Sequence, residues 1–159
     1  MSVRTLQRMD GATFYCTFTC WQWLPLIERS NAYGHIYDWM HIARSKGVRI
    51  LGYVIMPNHA HMVIHAPAGL SVNALLANAK RFLAYEVRSR LVAKGEDAVL
   101  AVLKSAVRPS DAARGSVYRV FMPSSDIREC HDEEMIQQKL DYMHANPVKG
   151  EVATGRELS

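Results

Sequence analysis

The stretch "MPNHAHMVIHAP", from Met56 to Pro67, places His59 and His61 one residue apart directly after a proline-containing turn. Successive side chains of a β-strand point to opposite faces, so residues two apart share a face and these two imidazoles should stand side by side. That is a geometry in which a metal can be held. Val63 and His65 fall on the same face, while Ala60, Met62 and Ile64 form an apolar row that can pack into a core. His65 lies roughly 13 Å further along the strand than His61, too far to share an ion with it. A bare His-x-His is more often chance or surface polarity than a metal site, so a partner elsewhere in the chain has to decide.

The candidate partner is "IQQKLDYMHANPVKG". Helical spacing puts Ile136, Leu140 and Met143 on one apolar stripe and sets Tyr142 and Asn146, four apart, on a common face. With about 100° per residue, Tyr142 stands at the edge of the core, roughly 100–120° round from the centre of the stripe. Two readings are open. Either Tyr142 faces a neighbouring cleft, or it is an amphipathic boundary tyrosine and Asn146 simply ends the helix before Pro147.

The elements that must position these residues follow from periodicity. "ATFYCTFTC", Ala12 to Cys20, alternates aromatic and β-branched residues as a strand does. A helix is expected from about Asn31 to Lys46, with Gly47 ending it, and "VRILGYVIM" and "AHMVIHA" flank the Pro57-Asn58 turn as a β-hairpin. Ser71 caps a long helix to about Val92, whose apolar stripe includes Leu76, Leu83 and Leu91 and whose other side is basic, with Lys80, Arg81, Arg88 and Arg90. "EDAVLAVLKSAV" suggests a short helix, "RPSDAARGS" an exposed loop, "VYRVFM" a further strand and "DEEMIQQKLDYMHA" a helix. The order β, α, β, β, α, β, α predicts an α+β sandwich with helices on an antiparallel sheet.

The chain has 159 residues, 49% hydrophobic and 21% charged, the profile of one folded domain rather than a disordered segment. A formal charge of +4 favours polyanionic partners only if it is clustered. Lys80 and Arg81 could neutralise nucleic-acid phosphates, or form an ordinary solvated helix face. Trp21, Trp23 and Tyr85 could stack on unpaired bases, with core packing or plain exposure as the commoner role for such residues. Three cysteines without CxxC spacing argue against a disulfide framework or zinc ribbon and fit a reducing cytoplasm. No apolar run approaches the roughly 20 residues of a membrane span, and the N-terminus has no hydrophobic targeting core.

"MPNHAH", followed some eighty residues later by "KLDYMHANPVKG", resembles the single-tyrosine HUH transposases, in particular the REP-associated tyrosine transposases. "FYCTFTCWQWLPLIE" and "NAKRFLAYEV" are also similar to that family, so the likeness covers most of the chain. The resemblance implies a ferredoxin-like antiparallel sheet with helices packed on one face. It implies a nuclease and strand transferase that cuts and rejoins single-stranded DNA through a 5′-phosphotyrosine, with a catalytically inactive nucleic-acid-binding derivative of the same fold as the alternative. Carried over position by position, it makes Tyr142 the nucleophile and His59, His61 and Asn146 the ligands of a divalent metal, Mg²⁺ or Mn²⁺. Lys80, Arg81 and Lys149 are then the expected DNA contacts. The expected partner is single-stranded, hairpin-forming DNA, bound by a cytoplasmic, nucleoid-associated monomer or homodimer. Members usually carry a Trp-containing segment before the tyrosine helix, where this chain has "SVYRVFMPSSDIREC", and a longer aromatic-rich tail; residues 1–159 are therefore expected to form one HUH-type domain with a shortened tail.

Overall fold

The computed structural model describes residues 11–145 and the backbone of residues 153–155. Strand β1 (Ala12–Thr19) leads through a 3-10 turn (Trp21–Trp23) into helices α1 (Leu26–Ser30) and α2 (Tyr33–Ser45). The hairpin β2 (Arg49–Ile55) and β3 (His59–Ala66) follows, then the long helix α3 (Val72–Ala93), α4 (Asp97–Ser105) and the single turn α5 (Pro109–Ala112). Strand β4 (Asp126–Cys130), helix α6 (Glu133–Ala145) and the short β5 (Ala153–Gly155) complete the described elements. The sheet order is β4-β1-β3-β2-β5, and every pairing is antiparallel. The first four strands give the interleaved order that a β-α-β-β-α-β chain forms in a ferredoxin-like sheet, so the α+β, ferredoxin-like expectation holds.

One part of that expectation needs correcting. Helices α2 and α3 cover one face, where Cys16, Phe18, Met62 and Ile64 meet Ile36, Met40, Leu76 and Leu83 in the main core. Helix α6 packs on the opposite face, where Leu140 and Met143 join Tyr15, Val54, Val63 and Cys130 in a second, smaller core. The reason lies in the sequence of β1 and β3, which carry apolar residues at adjacent positions, Tyr15-Cys16 and Met62-Val63-Ile64, and so must bury both sides.

The segment "VYRVFM" also differs from the expected strand. Within it only Phe121 bridges, to Cys20, and the backbone instead exchanges bonds with Trp21 and Thr19, while the Phe121 ring meets Phe18 edge-on at 5.5 Å. The edge of β1 is taken by β4, whose "DIREC" sequence is too charged to read as a strand but suits an exposed sheet edge. Part of the expected loop "RPSDAARGS" winds into α5, opened by Pro109 and tied by Asp111 to Arg108 and Arg119.

The turn that precedes His59 is fixed by backbone bonds. Met56 N–H donates to the His59 carbonyl at 2.8 Å, the Pro57 carbonyl accepts from Ile27 at 3.0 Å, and the Asn58 carbonyl accepts from Cys20 at 2.8 Å. The chain between Cys20 and Glu28 thus wraps the hairpin tip and sets where His59 begins.

Candidate active site

The two histidines stand as their spacing predicts. Ala60 and Met62 are wholly buried in the main core, and His59 and His61 are half-buried on the other face, ring centroids 4.7 Å apart at 80°. Each ring is anchored through Nδ1. Asn58 Oδ1 lies 2.6 Å from His59 Nδ1, and the same amide donates through Nδ2 to the Trp23 carbonyl at 3.3 Å. That donation fixes which end of the amide is oxygen, so His59 carries its proton on Nδ1 and keeps a lone pair on Nε2. His61 Nδ1 is met by Thr17 Oγ1 at 2.7 Å and Tyr15 Oη at 2.9 Å, two hydroxyls from the neighbouring strand. Hydroxyls can accept as well as donate, so this ring too can hold its proton on Nδ1 and present Nε2.

The local electrostatics favour neutral imidazoles. Burial lowers the His59 pKa. His61 is pushed down to about 4, mainly by burial, then by the neighbouring His59, with Asp126 opposing and Lys139 adding to the depression. Neutral imidazole is the ligating form, and a ring held by its other nitrogen is the usual state of a metal ligand. Two Nε2 lone pairs on one face therefore fit a divalent metal as part of a ligand set. Among the described residues no group of three or more His, Cys, Asp or Glu gathers to complete one. The third expected ligand, Asn146, lies outside the described residues, as does Lys149.

Tyr142 comes to this site within the same chain. Leu140 and Met143 bury the stripe of α6 against Val54 and Val63, which leaves Tyr142 at the edge of that contact, 54% exposed, with its ring 6.3 Å from that of His61 and at 78° to it. Of the two open readings, facing a cleft and lying at an amphipathic boundary, both describe part of what is seen: the boundary position is what puts the ring beside the histidines.

A second tyrosine touches the same histidine. Tyr15 is 6% exposed, stacks on His61 at 5.5 Å and 15°, carries Lys139 Nζ 4.7 Å above its ring, and has its pKa raised chiefly by burial. Its hydroxyl is spent on the Nδ1 side of His61, away from Nε2. The sequence reading missed this supporting set of Tyr15, Thr17 and Asn58. The register Thr17↔His61 and Tyr15↔Val63 shows what signal was there: Thr13, Tyr15 and Thr17 alternate along β1 on the histidine face.

The basic helix contributes differently from expectation. Lys80 Nζ donates to the Met122 carbonyl at 2.9 Å, the Pro123 carbonyl at 3.2 Å and Ser125 Oγ at 3.1 Å. An ammonium has three N–H donors, and in this structure all three of Lys80's are directed to the loop before β4. Arg81 is exposed, but on the helix that covers the other face of the sheet. His65 bonds Thr13 Oγ1 at 2.9 Å, apart from the pair. The cysteines are buried and free, and burial pushes the thiols of Cys16 and Cys20 up to about 12, so they stay protonated and unreactive.

A family model of IS200-like transposases matches residues 32–98, a span that includes both histidines and stops before Tyr142. Among solved structures, the chain aligns with a REP-associated tyrosine transposase bound to a REP hairpin, at 15% identity and a TM-score of 0.54, over 87% of this chain and 67% of that one. It also aligns with a candidate transposase from Deinococcus radiodurans R1, at 15% identity and a TM-score of 0.47, over 85% of this chain and 90% of that one. No curated protein matches. At such identity the first alignment shows a shared fold. The family match covers the stretch of the chain with both histidines, and the fold is shared with the REP-associated tyrosine transposase, in line with the resemblance read from the sequence.

Proposed function

We propose that this chain cuts and rejoins single-stranded DNA, with Tyr142 as nucleophile and His59 and His61 as metal ligands. The observation that carries the reading is the placement of the Tyr142 ring 6.3 Å from His61, on the ligand-bearing face and in one chain. A divalent cation held by the two Nε2 atoms, with Asn146 completing the set, would polarise the scissile phosphate and offset the charge that builds there. Asn58 keeps His59 in the tautomer that such binding requires, and Thr17 and Tyr15 allow the same tautomer at His61.

Tyr142 attacks phosphorus through Oη. The Oη–P bond forms, the P–O3′ bond breaks, and the tyrosine proton ends on the departing 3′ oxygen, leaving a 5′-phosphotyrosine. Because one phosphodiester replaces another, a second 3′ hydroxyl can reverse the step and join new ends, with no nucleotide cofactor. Exposure of Tyr142 suits this role, since a DNA strand must reach it. The fold neighbour bound to a REP hairpin supports hairpin-forming DNA as the partner, with Arg81 and Lys149 contacting flanking phosphates. Tyr142 stands beside His61 of its own chain, which supports a monomer over a homodimer that shares the site, and its place would be the cytoplasm with the nucleoid.

Incubating the protein with a labelled single-stranded hairpin and Mn²⁺ tests this. A covalent adduct that survives denaturation, disappears with a chelator and is lost in Tyr142→Phe is the expected result. An adduct that persists in Tyr142→Phe overturns the nucleophile; binding without any adduct across a panel of hairpins supports the inactive, nucleic-acid-binding alternative.

A further inference from the structure

Trp23 has three properties that core packing does not explain. Its indole is 59% exposed, its φ is +59° directly after Gln22 at +51°, and its ring stands 5.5 Å from His59 at 67°. Left-handed backbone at two successive non-glycine residues is strained, and such strain persists only where the surroundings impose it. Here they do. Trp23 N–H donates to the Cys20 carbonyl at 3.0 Å, and its own carbonyl accepts from Asn58 Nδ2 at 3.3 Å. The neighbouring Trp21 is turned the other way, under the guanidinium of Arg119 at 5.0 Å. The turn therefore holds one indole against the protein and aims the other outward beside a metal-ligand candidate, through the same Asn58 that orients that histidine.

The rings follow one another in contact: Tyr142 to His61 at 6.3 Å, His61 to His59 at 4.7 Å, His59 to Trp23 at 5.5 Å, so Tyr142 and Trp23 stand at the two ends of the series. In phosphoryl transfer the attacking and leaving oxygens lie roughly opposite each other across phosphorus. Were Tyr142 to attack from its end of the series, the departing 3′ oxygen would leave on the side away from it, and Trp23 is the ring at that other end. We propose that Trp23 is a stacking platform for the unpaired base of the nucleotide on the 5′ side of the cut, the one that keeps the 3′ hydroxyl. This rests on the reading of Tyr142 as nucleophile. Stacking tolerates any base because every base has a π-face, so the platform grips and positions the strand without specifying its sequence.

The test uses the full chain carrying Tyr142→Phe, which on the proposed mechanism should bind without cutting, and oligothymidylate as the probe. Trp39 is 2% exposed and Trp21 is covered by Arg119, which leaves Trp23 as the indole open to a base. The expected result is quenching of tryptophan emission on binding, abolished by adding Trp23→Phe, and affinity about ten-fold weaker with Trp23→Ala. Quenching that survives Trp23→Phe, or unchanged affinity in Trp23→Ala, overturns the platform. Placement is read with a hairpin lacking the base just 5′ of the cut: its loss of affinity should vanish in Trp23→Ala, and a loss that remains there contradicts the assignment. A wild-type chain that quenches through Trp23 yet forms no adduct would remove the nucleophile and leave the stacking site. An adduct without Trp23-dependent quenching would do the reverse.

Discussion

On one face of β3, Ala60, Met62 and Ile64 are sealed under α2 and α3; on the other, His59 and His61 stay half-open beside a helix that covers only part of the sheet. The closed face contributes rigidity, because a strand whose alternate residues are wholly buried cannot shift register without exposing them. The open face uses that rigidity. Its two imidazoles are held by hydrogen bonds from β1 and the hairpin tip, and α6 brings Tyr142 to their margin. Binding chemistry requires an incomplete cover, and the smaller second core leaves that part of the face open.

Substitutions on the two faces should therefore separate. The largest effect is all-or-none: Tyr142→Phe keeps the ring, removes Oη, and should eliminate the covalent DNA adduct while leaving the thermal midpoint unchanged, as denaturing gels and calorimetry can establish. On the closed face, Met62→Ala should cost about 2–5 kcal/mol in urea unfolding, with adduct formation falling only as the folded fraction falls. Asn58→Ala should weaken Mn²⁺ binding about 10–100-fold by titration calorimetry, because His59 loses the acceptor that sets its tautomer. Asn58→Asp, which still accepts from Nδ1, should recover part of that loss.

Acid should distinguish the faces as well. The unfolded His61 titrates near 6.5 and the folded one near about 4, so between those values the unfolded chain binds the extra proton. Stability then rises with pH across the window and is lost as pH falls through it. Urea midpoints measured in chelator from neutral to acid pH should show this slope, and His61→Asn should flatten it. The smallest expected effect is on DNA binding away from the site. Arg81→Ala should reduce the salt dependence of hairpin affinity by roughly one contact. Lys80→Met should leave that slope unaltered and instead loosen the loop over residues 122–125.

The sheet was legible in the sequence because alternation in β1 and β3 and the Pro57-Asn58 turn are local signals. The edge strand was not, since Asp126, Arg128 and Glu129 sit where an exposed edge tolerates charge and periodicity cannot distinguish that from a loop. "VYRVFM" misled for the converse reason: Val120 and Phe121 are both buried by the β1 to α1 connection, so the apolar run marks a cover rather than a strand. In the candidate site, His59, His61 and Tyr142 could be proposed from spacing and resemblance, whereas the contacts of Tyr15 and Thr17 with His61 come from a cross-strand register that exists only after pairing. The loop contacts of Lys80 were not legible because a basic residue on a helix gives no sign of carbonyls arriving from 42 and 43 residues away.

Two tyrosines flank His61, one buried with its hydroxyl 2.9 Å from Nδ1 and one exposed at the margin of α6. Trapping the metal-dependent adduct, digesting it and locating the nucleotide by mass spectrometry decides which of them reacts. The nucleotide on the peptide containing Tyr142 is the predicted result. Its presence on the peptide containing Tyr15, or cleavage with no tyrosine modified, would contradict the site as assembled from His59, His61 and Tyr142.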